Sequence, residues 1–454
     1  MLVSFNVKNF LSFKEEEEFN CLPGKATRLG FHKVKKIGFE VLKLSAVYGA
    51  NASGKSNLIN AINTLKVLIL LGEIGNILEG KKFKLSDQNQ KEWIEFSIEF
   101  IHKNKLFYYQ ISVGNNQIQE ENFNCSKEGV EIFSFKREFI EEKIKITFSD
   151  NLNSNPNNQI LFGIIEKNLL QPHQLLISFL NQLPGNEFSL EIAEAKEWFV
   201  QKLVILFPET KTNILVQKLD ENPGFKLFVD HLIPVLNTGI TKTKIEKQDL
   251  KDLKPELLSA DYQEVFDHLQ SNPSSFVKKS IENGLDELVI VNEGGKVFEK
   301  RLFFESANDK GEGVLFKFSE QSDGTKRLIE YLPAFYSLQN EECTFIIDEI
   351  ERSIHPLLIK ELVSKFSLSK ESKGQLIFTT HETLLLNQDF FRTDEIWFTE
   401  KDQFGISRIY SLSEFKEHNT IDIQKGYLNG RYGGVPFLGE LTSLDWNEDD
   451  ERER

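Results

Sequence analysis

Cysteine is scarce in this chain, and long apolar segments are absent. The three cysteines, Cys21, Cys125 and Cys343, lie far apart and lack the spacing of a metal site or a redox pair, which is typical of proteins from a reducing compartment. No apolar run approaches the roughly 18 residues that a membrane-spanning helix needs, and the N-terminus lacks the pattern of a secretory signal. We therefore expect a cytoplasmic protein without a membrane partner.

Net positive charge is also missing. The formal charge is −15 and the pI is about 5.2, whereas proteins that grip long DNA without sequence preference usually have a basic surface. This balance argues against DNA as an obligate ligand. Two basic segments, 33–36 and 242–247, could still form a local stripe that binds nucleic acid, but we expect both to be solvated loops.

Sustained heptads are absent as well, and no internal repeat is present. A long coiled coil is therefore not expected. The chain has 454 residues, of which 40% are hydrophobic and 27% charged. It can bury a large core and form two substructures.

The most informative segment that is present has the pattern of a phosphate-binding loop. It reads Gly49-Ala50-Asn51-Ala52-Ser53-Gly54-Lys55-Ser56, and it lies between a short apolar run and a segment with helical spacing. In such a loop the backbone N–H groups surround the α- and β-phosphates. Lys55 would neutralise the β- and γ-phosphates, and Ser56 would offer its hydroxyl to Mg²⁺. The pattern predicts a nucleotide site.

Two apolar strands downstream end in residues that suit phosphoryl transfer. The first ends in Asp348-Glu349, where one carboxylate can hold Mg²⁺ and the other can activate water as a general base. The second, 375–380, leads to His381, whose imidazole can hydrogen-bond a γ-phosphate. Their order after the phosphate-binding loop predicts an NTPase.

A Ser-x-Gly turn, Ser322-Asp323-Gly324, precedes an apolar helical segment upstream of the acidic strand. Such a turn presents a hydroxyl, free N–H groups and the positive end of a helix dipole to an anion. Taken alone, an N-cap serine with a turn glycine explains it more simply. Its place in the order of motifs favours a phosphate contact.

Together with residues 3–13 and 351–356, these motifs resemble an ABC-type ATPase of the SMC/RecF branch. The chain is similar in particular to the stand-alone bacterial AAA/OLD-like group, which includes the ATPase half of OLD-family proteins. The likeness covers about 1–150 and 310–440. It implies an α/β fold: a P-loop NTPase ABC-type head with an antiparallel β-subdomain and a mainly helical insertion.

The resemblance also implies that ATP and Mg²⁺ are sandwiched between two protomers, in a homodimer or a higher oligomer. Ser56 and Asp348 would hold the metal, and Glu349 and His381 would be catalytic. Ser322 and Gly324 would reach the γ-phosphate bound to the other protomer. The implied nucleotide-binding residues of the first protomer are Ser12, Gly49, Asn51, Ser53, Gly54, Lys55, Ser56 and Asn57.

The signature turn departs from the Leu-Ser-Gly-Gly form, because Gln321 and Asp323 replace its first and third residues. The Asp323 carboxylate would repel a γ-phosphate unless it points away or pairs with Arg327. Leu11 stands where related heads often carry a basic residue that contacts phosphate. In this chain a phosphate contact from the first-strand segment would therefore depend on Ser12 alone. No glutamine loop can be placed.

Within 93–148, apolar residues alternate over 94–100, 107–113 and 144–148, which predicts antiparallel strands with turns at 103–105 and 114–116. A polar breaker at 150–158 suggests a boundary. Farther on, the periodicity becomes helical, with one candidate helix at 261–269, and strands return near 287.

We therefore expect three parts. Residues 1–158 would form the N-terminal lobe of the head with the phosphate-binding loop, and 159–285 a mainly helical insertion. Residues 286–454 would form the C-terminal lobe, with the signature turn, the acidic strand and the histidine. The glycine-rich segment 427–436 could contact a partner or a nucleotide, or be a docked structural loop.

Three functions of different classes fit this sequence. The first is a switch whose ATP-dependent assembly controls a separate effector, such as a nuclease, because heads of this group resemble ATPase subunits of bacterial phage-defence systems. We do not expect the Toprim nuclease domain that the OLD family fuses at this point, because few residues follow His381. The second is a RecF-like DNA-repair ATPase, which the net charge does not favour. The third is an ATP-dependent scaffold with negligible turnover, which would not need Glu349 as a base. A transport ATPase fits less well.

Overall fold

The computed structural model describes residues 1–150, 154, 156–183, 189–210, 215–249, 268–269, 271, 276–281, 286–415 and 422–434. Its contacts divide the chain into two compact units. The first comprises 1–205, 343–350 and 375–454, and the second comprises 206–342 and 351–374. Most of the candidate helix at 261–269 lies outside the described residues.

The strands are β1 (Leu2–Lys8), β2 (Glu17–Asn20), β3 (Lys33–Lys36), β4 (Phe39–Leu42), β5 (Leu44–Tyr48), β6 (Ile94–His102), β7 (Lys105–Gly114), β8 (Gln117–Lys127), β9 (Val130–Ile140), β10 (Lys143–Phe148), β11 (Leu203–Leu206), β12 (Ile240–Asp249), β13 (Phe276–Ile281), β14 (Asp286–Glu293), β15 (Lys296–Ala307), β16 (Gly313–Lys317), β17 (Thr344–Ile347), β18 (Gln375–Thr380), β19 (Ile396–Lys401) and β20 (Ser407–Ser411).

The α-helices are α1 (Lys55–Leu71), α2 (Asp87–Lys91), α3 (Pro156–Ile164), α4 (Leu176–Gln182), α5 (Ser189–Glu197), α6 (Leu215–Glu221), α7 (Pro223–Val235), α8 (Asp323–Asn340), α9 (Pro356–Leu368) and α10 (Ile423–Leu428). Among the described residues, none of these helices is both long enough and apolar enough to cross a bilayer.

The first unit contains a six-stranded sheet in the order β11-β17-β18-β5-β19-β20. Strands β17, β18, β5 and β19 run parallel, and β20 pairs antiparallel with β19. Every residue of β5, β17 and β18 is buried. Both faces of a parallel sheet are covered in α/β proteins, so its strands are continuously apolar, and this is why these segments stand out in the sequence.

The second large sheet of this unit is antiparallel, in the order β10-β9-β8-β7-β6-β1-β2. The predicted turns are confirmed: Lys103 and Asn104 have φ of 47° and 57°, and Asn115 and Asn116 have 52° and 57°, as tight hairpins require. The predicted α/β class with an antiparallel β-subdomain is therefore confirmed.

Strands β8 and β9 have no counterpart among the predicted strands. The pairing of β8 with β7 shifts register between Ser112 and Val113, and Glu121 occupies a fully buried position of β8. The carboxylate of Glu121 accepts hydrogen bonds from the Tyr109 hydroxyl and from the backbone N–H of Leu176. A bulge and a buried carboxylate both interrupt the apolar alternation that marks a strand.

The second unit is built on an antiparallel sheet in the order β12-β15-β14-β13, with β16 paired to β15. Helices α6, α7 and α8 pack against this sheet around a core that includes Val229, Phe304 and Leu332. Strands β12 and β13 fall within 159–285, where we expected mainly helix. In β12 the buried residues are Ile240 and Thr243, so few apolar side chains signal the strand.

Candidate functional site

Three motifs meet at one edge of the parallel sheet. The loop that begins at Gly49 follows β5, Asp348 follows β17, and His381 follows β18. These strands are neighbours and parallel, and their last residues pair closely in register: Thr380 lies opposite Tyr48, and Ile347 opposite Phe378. In sheets of this kind ligands bind outside the carboxyl ends of the strands.

The phosphate-binding loop forms a tight cradle before α1. Its backbone turns at Ala52 (φ 63°) and Gly54 (φ 121°), and the N–H of Ser53 donates to the carbonyl oxygen of Ala50 at 3.2 Å. Lys55 is buried, and its Nζ donates to the carbonyl oxygens of Gly49 (2.7 Å) and Ala50 (3.0 Å). The ammonium group is therefore held at the start of the loop.

Helix α1 begins without a side-chain cap. Its N-cap, Gly54, makes no side-chain capping bond, and its first turn has no acidic residue. The first backbone N–H groups of a helix have no partner within the helix, and the dipole adds positive charge there. Together with Lys55, this end fits the phosphates of a nucleotide.

Two glycines of the loop are required by close contacts. A Cβ atom at Gly49 would lie 2.4 Å from the Thr399 hydroxyl oxygen and 2.5 Å from that of Ser53. At Gly54 it would lie 2.6 Å from the Ser407 hydroxyl oxygen. Glycine at both positions avoids these overlaps, so the loop can pack closely against the buried hydroxyls of Thr399 and Ser407.

Ser12 belongs to a chain of polar contacts around the loop. Its hydroxyl accepts from the Asn57 amide at 2.7 Å and lies 2.7 Å from the hydroxyl of Ser407. Ser407 also donates to the carbonyl oxygen of Ser53 at 2.7 Å. Ser407, which the motifs did not indicate, thus belongs to the same group of contacts as the expected residues Ser12, Ser53 and Asn57.

Thr399 is a second residue that the motifs did not indicate. Its hydroxyl lies 2.6 Å from that of Ser53 and donates to the carbonyl oxygen of Tyr48 at 3.3 Å. Thr399 and Ser407 are fully buried. The only signal in the sequence is a hydroxyl residue within an otherwise apolar strand region, which is too common to be informative. Asn51 is exposed and Ser56 half-buried.

The acidic turn after β17 is held by one side chain of β18. The Thr379 hydroxyl donates to Asp348 Oδ1 at 2.5 Å and accepts from the backbone N–H of Glu349 at 2.8 Å. The N–H of Ile350 donates to the carbonyl oxygen of Thr379 at 3.1 Å. Asp348 is 3% exposed, whereas Glu349 is half-buried and has φ of 49°. Such a backbone strain is typical of functional sites.

His381 is exposed at the end of β18, directly after the buried Thr379 and Thr380. The Thr380 hydroxyl accepts from the N–H of Glu382 at 3.0 Å, which fixes the turn that follows the histidine. No cluster of three or more His, Cys, Asp or Glu side chains within the described ranges could hold a metal ion by itself. A magnesium site here would need Ser56, Asp348 and phosphate oxygens together.

Ser322 and Gly324 lie in the second unit, at the start of α8. Ser322 is the N-cap, and its hydroxyl accepts from the N–H of Thr325 at 3.2 Å. Asp323 is exposed and its carboxylate lies 3.6 Å from Lys326 Nζ. Pairing of Asp323 with Arg327 was one expected arrangement, and it is not the one found. The buried Arg327 donates to backbone carbonyls of residues 207 and 210.

Comparison with protein families gives one match that spans most of these elements. The model described as "AAA domain, putative AbiEii toxin, Type IV TA system" matches residues 44–155 and 186–387. These ranges include the phosphate-binding loop, the turn at Ser322, the acidic strand and His381. No curated protein matches the chain significantly.

Several solved structures are similar to the chain at low identity. The Smc head bound to the C-terminal winged-helix domain of ScpA is 12% identical, with a TM-score of 0.41, covering 90% of this chain and 97% of that one. The SMC head domain from Thermotoga maritima is 10% identical, with a TM-score of 0.38, covering 90% and 98%. An Smc head with an extended coiled coil, bound to the C-terminal domain of ScpA from Pyrococcus furiosus, is 13% identical, with a TM-score of 0.34, covering 95% and 98%.

Proposed function

This chain belongs to the AAA-domain family just described, and from that premise we propose that it is an ABC-type ATPase that binds and hydrolyses ATP and controls a separate effector. The observation that carries the proposal is the shared carboxyl edge of β5, β17 and β18, which places the phosphate-binding loop, Asp348-Glu349 and His381 side by side. The proposal keeps 1–158 and 286–454 as lobes of one head and 159–285 as its insertion.

Bound Mg-ATP would supply the phosphoanhydride bond that water cleaves. Lys55 and the N-terminus of α1 would hold the β- and γ-phosphates, since both are positive and lie at the loop. Ser56 and Asp348 would hold Mg²⁺. The other residues assigned to the nucleotide are Ser12, Gly49, Asn51, Ser53, Gly54 and Asn57.

Glu349 would act as the general base. Its N–H is fixed by Thr379, and its half-buried carboxylate follows directly after Asp348. A base needs a defined position near the water that it activates. The exposed imidazole of His381 would hydrogen-bond the γ-phosphate from the neighbouring strand.

Assembly would complete the site. Ser322 is exposed at the N-terminus of an 18-residue helix, so its turn is accessible to a second molecule. Ser322 and Gly324 would contact the γ-phosphate held by another protomer, as the resemblance to ABC-type heads implies. The Lys326 ammonium near Asp323 would offset the charge of that carboxylate.

The family description supports a partner protein. It names a putative toxin of a type IV toxin–antitoxin system, and such a system has more than one component. These words support our proposal of a role in a bacterial defence system, with a separate effector such as a nuclease.

The two basic segments support this function over DNA repair. Both segments are strands, β3 and part of β12, so the expectation that they form loops was wrong. Within the described residues four of their six lysines are paired with carboxylates: Lys33 with Glu40, Lys242 with Glu305, Lys244 with Glu246 and Lys247 with Glu293. Paired lysines leave little net positive charge for a phosphate backbone.

Light scattering of the wild type and Glu349→Gln, with and without Mg-ATP, tests the proposal. Turnover is read on the same samples, with and without DNA. We expect larger assemblies with ATP, slow turnover and no response to DNA. A DNA-stimulated rate with ATP-dependent DNA binding would favour the RecF-like function instead, and assembly without any turnover would favour a scaffold.

A further inference from the structure

The C-terminal brace, which we define as Asp422–Gly434, contains α10 and the glycine-rich loop whose role the sequence left open. Gly430, Gly433 and Gly434 have φ of 74°, 67° and 67°, a region that side chains other than glycine rarely adopt. The loop conformation therefore depends on its glycines, and the brace has a defined path.

Aromatic rings fix the brace to the parallel sheet. Phe398 of β19 stacks with two brace residues: Tyr427 at a centroid distance of 5.5 Å and Tyr432 at 5.8 Å, with interplanar angles of 14° and 13°. Tyr427 also meets the edge of Tyr48, the residue before Gly49, at 6.1 Å. Such ring pairs add to the energy of burial.

The end of the brace lies directly against the phosphate-binding loop. From the position that a Cβ atom would take at Gly434, the Cα of Gly49 is 3.6 Å away and the carbonyl oxygen of Thr399 is 3.4 Å away. The Tyr427 hydroxyl donates to the carbonyl oxygen of Gly434 at 3.0 Å and so fixes this approach. Gly434 thus supports the first glycine of the loop.

The brace also reaches the histidine turn. The Gln424 amide donates to the hydroxyl of Thr383 at 3.4 Å, two residues beyond His381 in the chain. The brace therefore contacts both the phosphate-binding loop, at Gly49, and the turn after His381, at Thr383.

We propose that the C-terminal brace positions the phosphate-binding loop for ATP, and that Tyr427 and Gly434 are its positioning residues. The inference rests on the proposed function, since it concerns the same nucleotide site. Coupling between two sites is reciprocal. A brace that improves ATP binding when docked must therefore itself be stabilised by ATP.

The first test measures the KM and Kd for Mg-ATP in Tyr427→Phe, which keeps the ring but removes the hydroxyl. Loss of one hydrogen bond should raise both constants about fivefold with kcat nearly unchanged. Gly434→Ala, which strains the backbone at φ 67°, should raise them further. The matched control is Leu428→Ala, because Leu428 lies in the same helix and is 56% exposed. A purely structural role would lower the melting temperature without this KM effect.

The second test is hydrogen exchange of residues 422–434 with and without a non-hydrolysable ATP analogue and Mg²⁺. We expect slower exchange with the analogue in the wild type and no change in Lys55→Ala. Normal ATP affinity in both brace variants, with no protection of the segment, would overturn this inference and leave the ATPase function standing. Failure of the wild type to bind ATP would overturn both.

Discussion

The carbonyl oxygen of Ser353 lies 2.6 Å from the position that a Cβ atom would take at Gly324. Both residues belong to the second unit, and Ser353 has φ of 63°. The glycine of the signature turn is therefore required by a backbone contact inside the protein. This requirement holds whether or not the turn also contacts a phosphate.

Gly324→Ala should lower the free energy of unfolding by about 1–3 kcal/mol, because the new methyl group meets a backbone oxygen that cannot rotate away. Chemical denaturation measures the change. Gly163→Ala is the matched control, since Gly163 lies in α3 and has nothing within 4 Å of its added Cβ. That variant should be stabilised by about 0.5–1 kcal/mol. Equal effects of the two substitutions would contradict the packing argument.

Lys55→Ala should weaken ATP binding by about 100-fold or more, because the proposed contact between a buried ammonium group and the phosphates would be lost. Titration calorimetry with Mg-ATP gives the affinity. Lys66→Ala removes another partly buried lysine from the same helix, whose Nζ bonds the carbonyl of Leu203, and should bind ATP normally. An ATP affinity close to the wild-type value in Lys55→Ala would refute the site assignment.

Glu349→Gln should lower kcat by about 10²–10⁴-fold, since the amide cannot accept the proton of the attacking water. ATP binding should persist, so the ATP-bound assembly should accumulate. Single-turnover phosphate release and size-exclusion chromatography measure the two effects. Glu361→Gln, at an exposed position of α9, should behave like the wild type. Unchanged turnover in Glu349→Gln would remove Glu349 as the base.

Thr379→Val should reduce stability by about 1–3 kcal/mol, because Asp348 and the N–H of Glu349 lose their buried partner. The turn would also lose its fixed position, so kcat should fall. Thr379→Ser restores the hydroxyl and should restore most of the turnover. If the Val and Ser variants turn over equally fast, the hydroxyl is not what positions the acidic turn.

Lys43 makes stability depend on pH in the alkaline range. Burial lowers the pKa of Lys43 from 10.5 to about 8, against the opposing charge of Glu395. Between these values the unfolded state binds more protons, so stability rises with pH by up to about 1.4 kcal/mol per pH unit, and it is lost as pH falls through 8. Urea unfolding at pH 7.5 and 9.5 measures this effect. From the lower to the higher pH, the free energy of unfolding of the wild type should rise relative to that of Lys43→Met. An equal difference at both pH values would contradict this.

The parallel sheet and its motifs could be predicted because their signals are local. An apolar run before Gly49 or Asp348 identifies a buried strand, and the motif marks the end of that strand. The antiparallel turns at Asn104 and Asn115 were equally local, since their residue types favour a positive φ.

The residues around the loop could not be predicted, because nothing near them in the sequence marks them. Thr399 and Ser407 act through contacts with Ser53, far away in the chain. Strand β8 was missed because Glu121 breaks its apolar alternation, and the carboxylate is compensated only by distant residues such as Tyr109. Such compensation is visible only in three dimensions.

The contacts of Ser53 also determine when the phosphate-binding loop can finish folding during synthesis. Ser53 and Thr399 are separated by 346 positions, and Ser53 and Ser407 by 354. At about 5–20 residues per second of synthesis, the early loop waits roughly 20–70 s for the strands that support it. We expect a growing chain to lack a finished cradle throughout that interval. A growing chain would then bind nucleotide only after β20 has been synthesised.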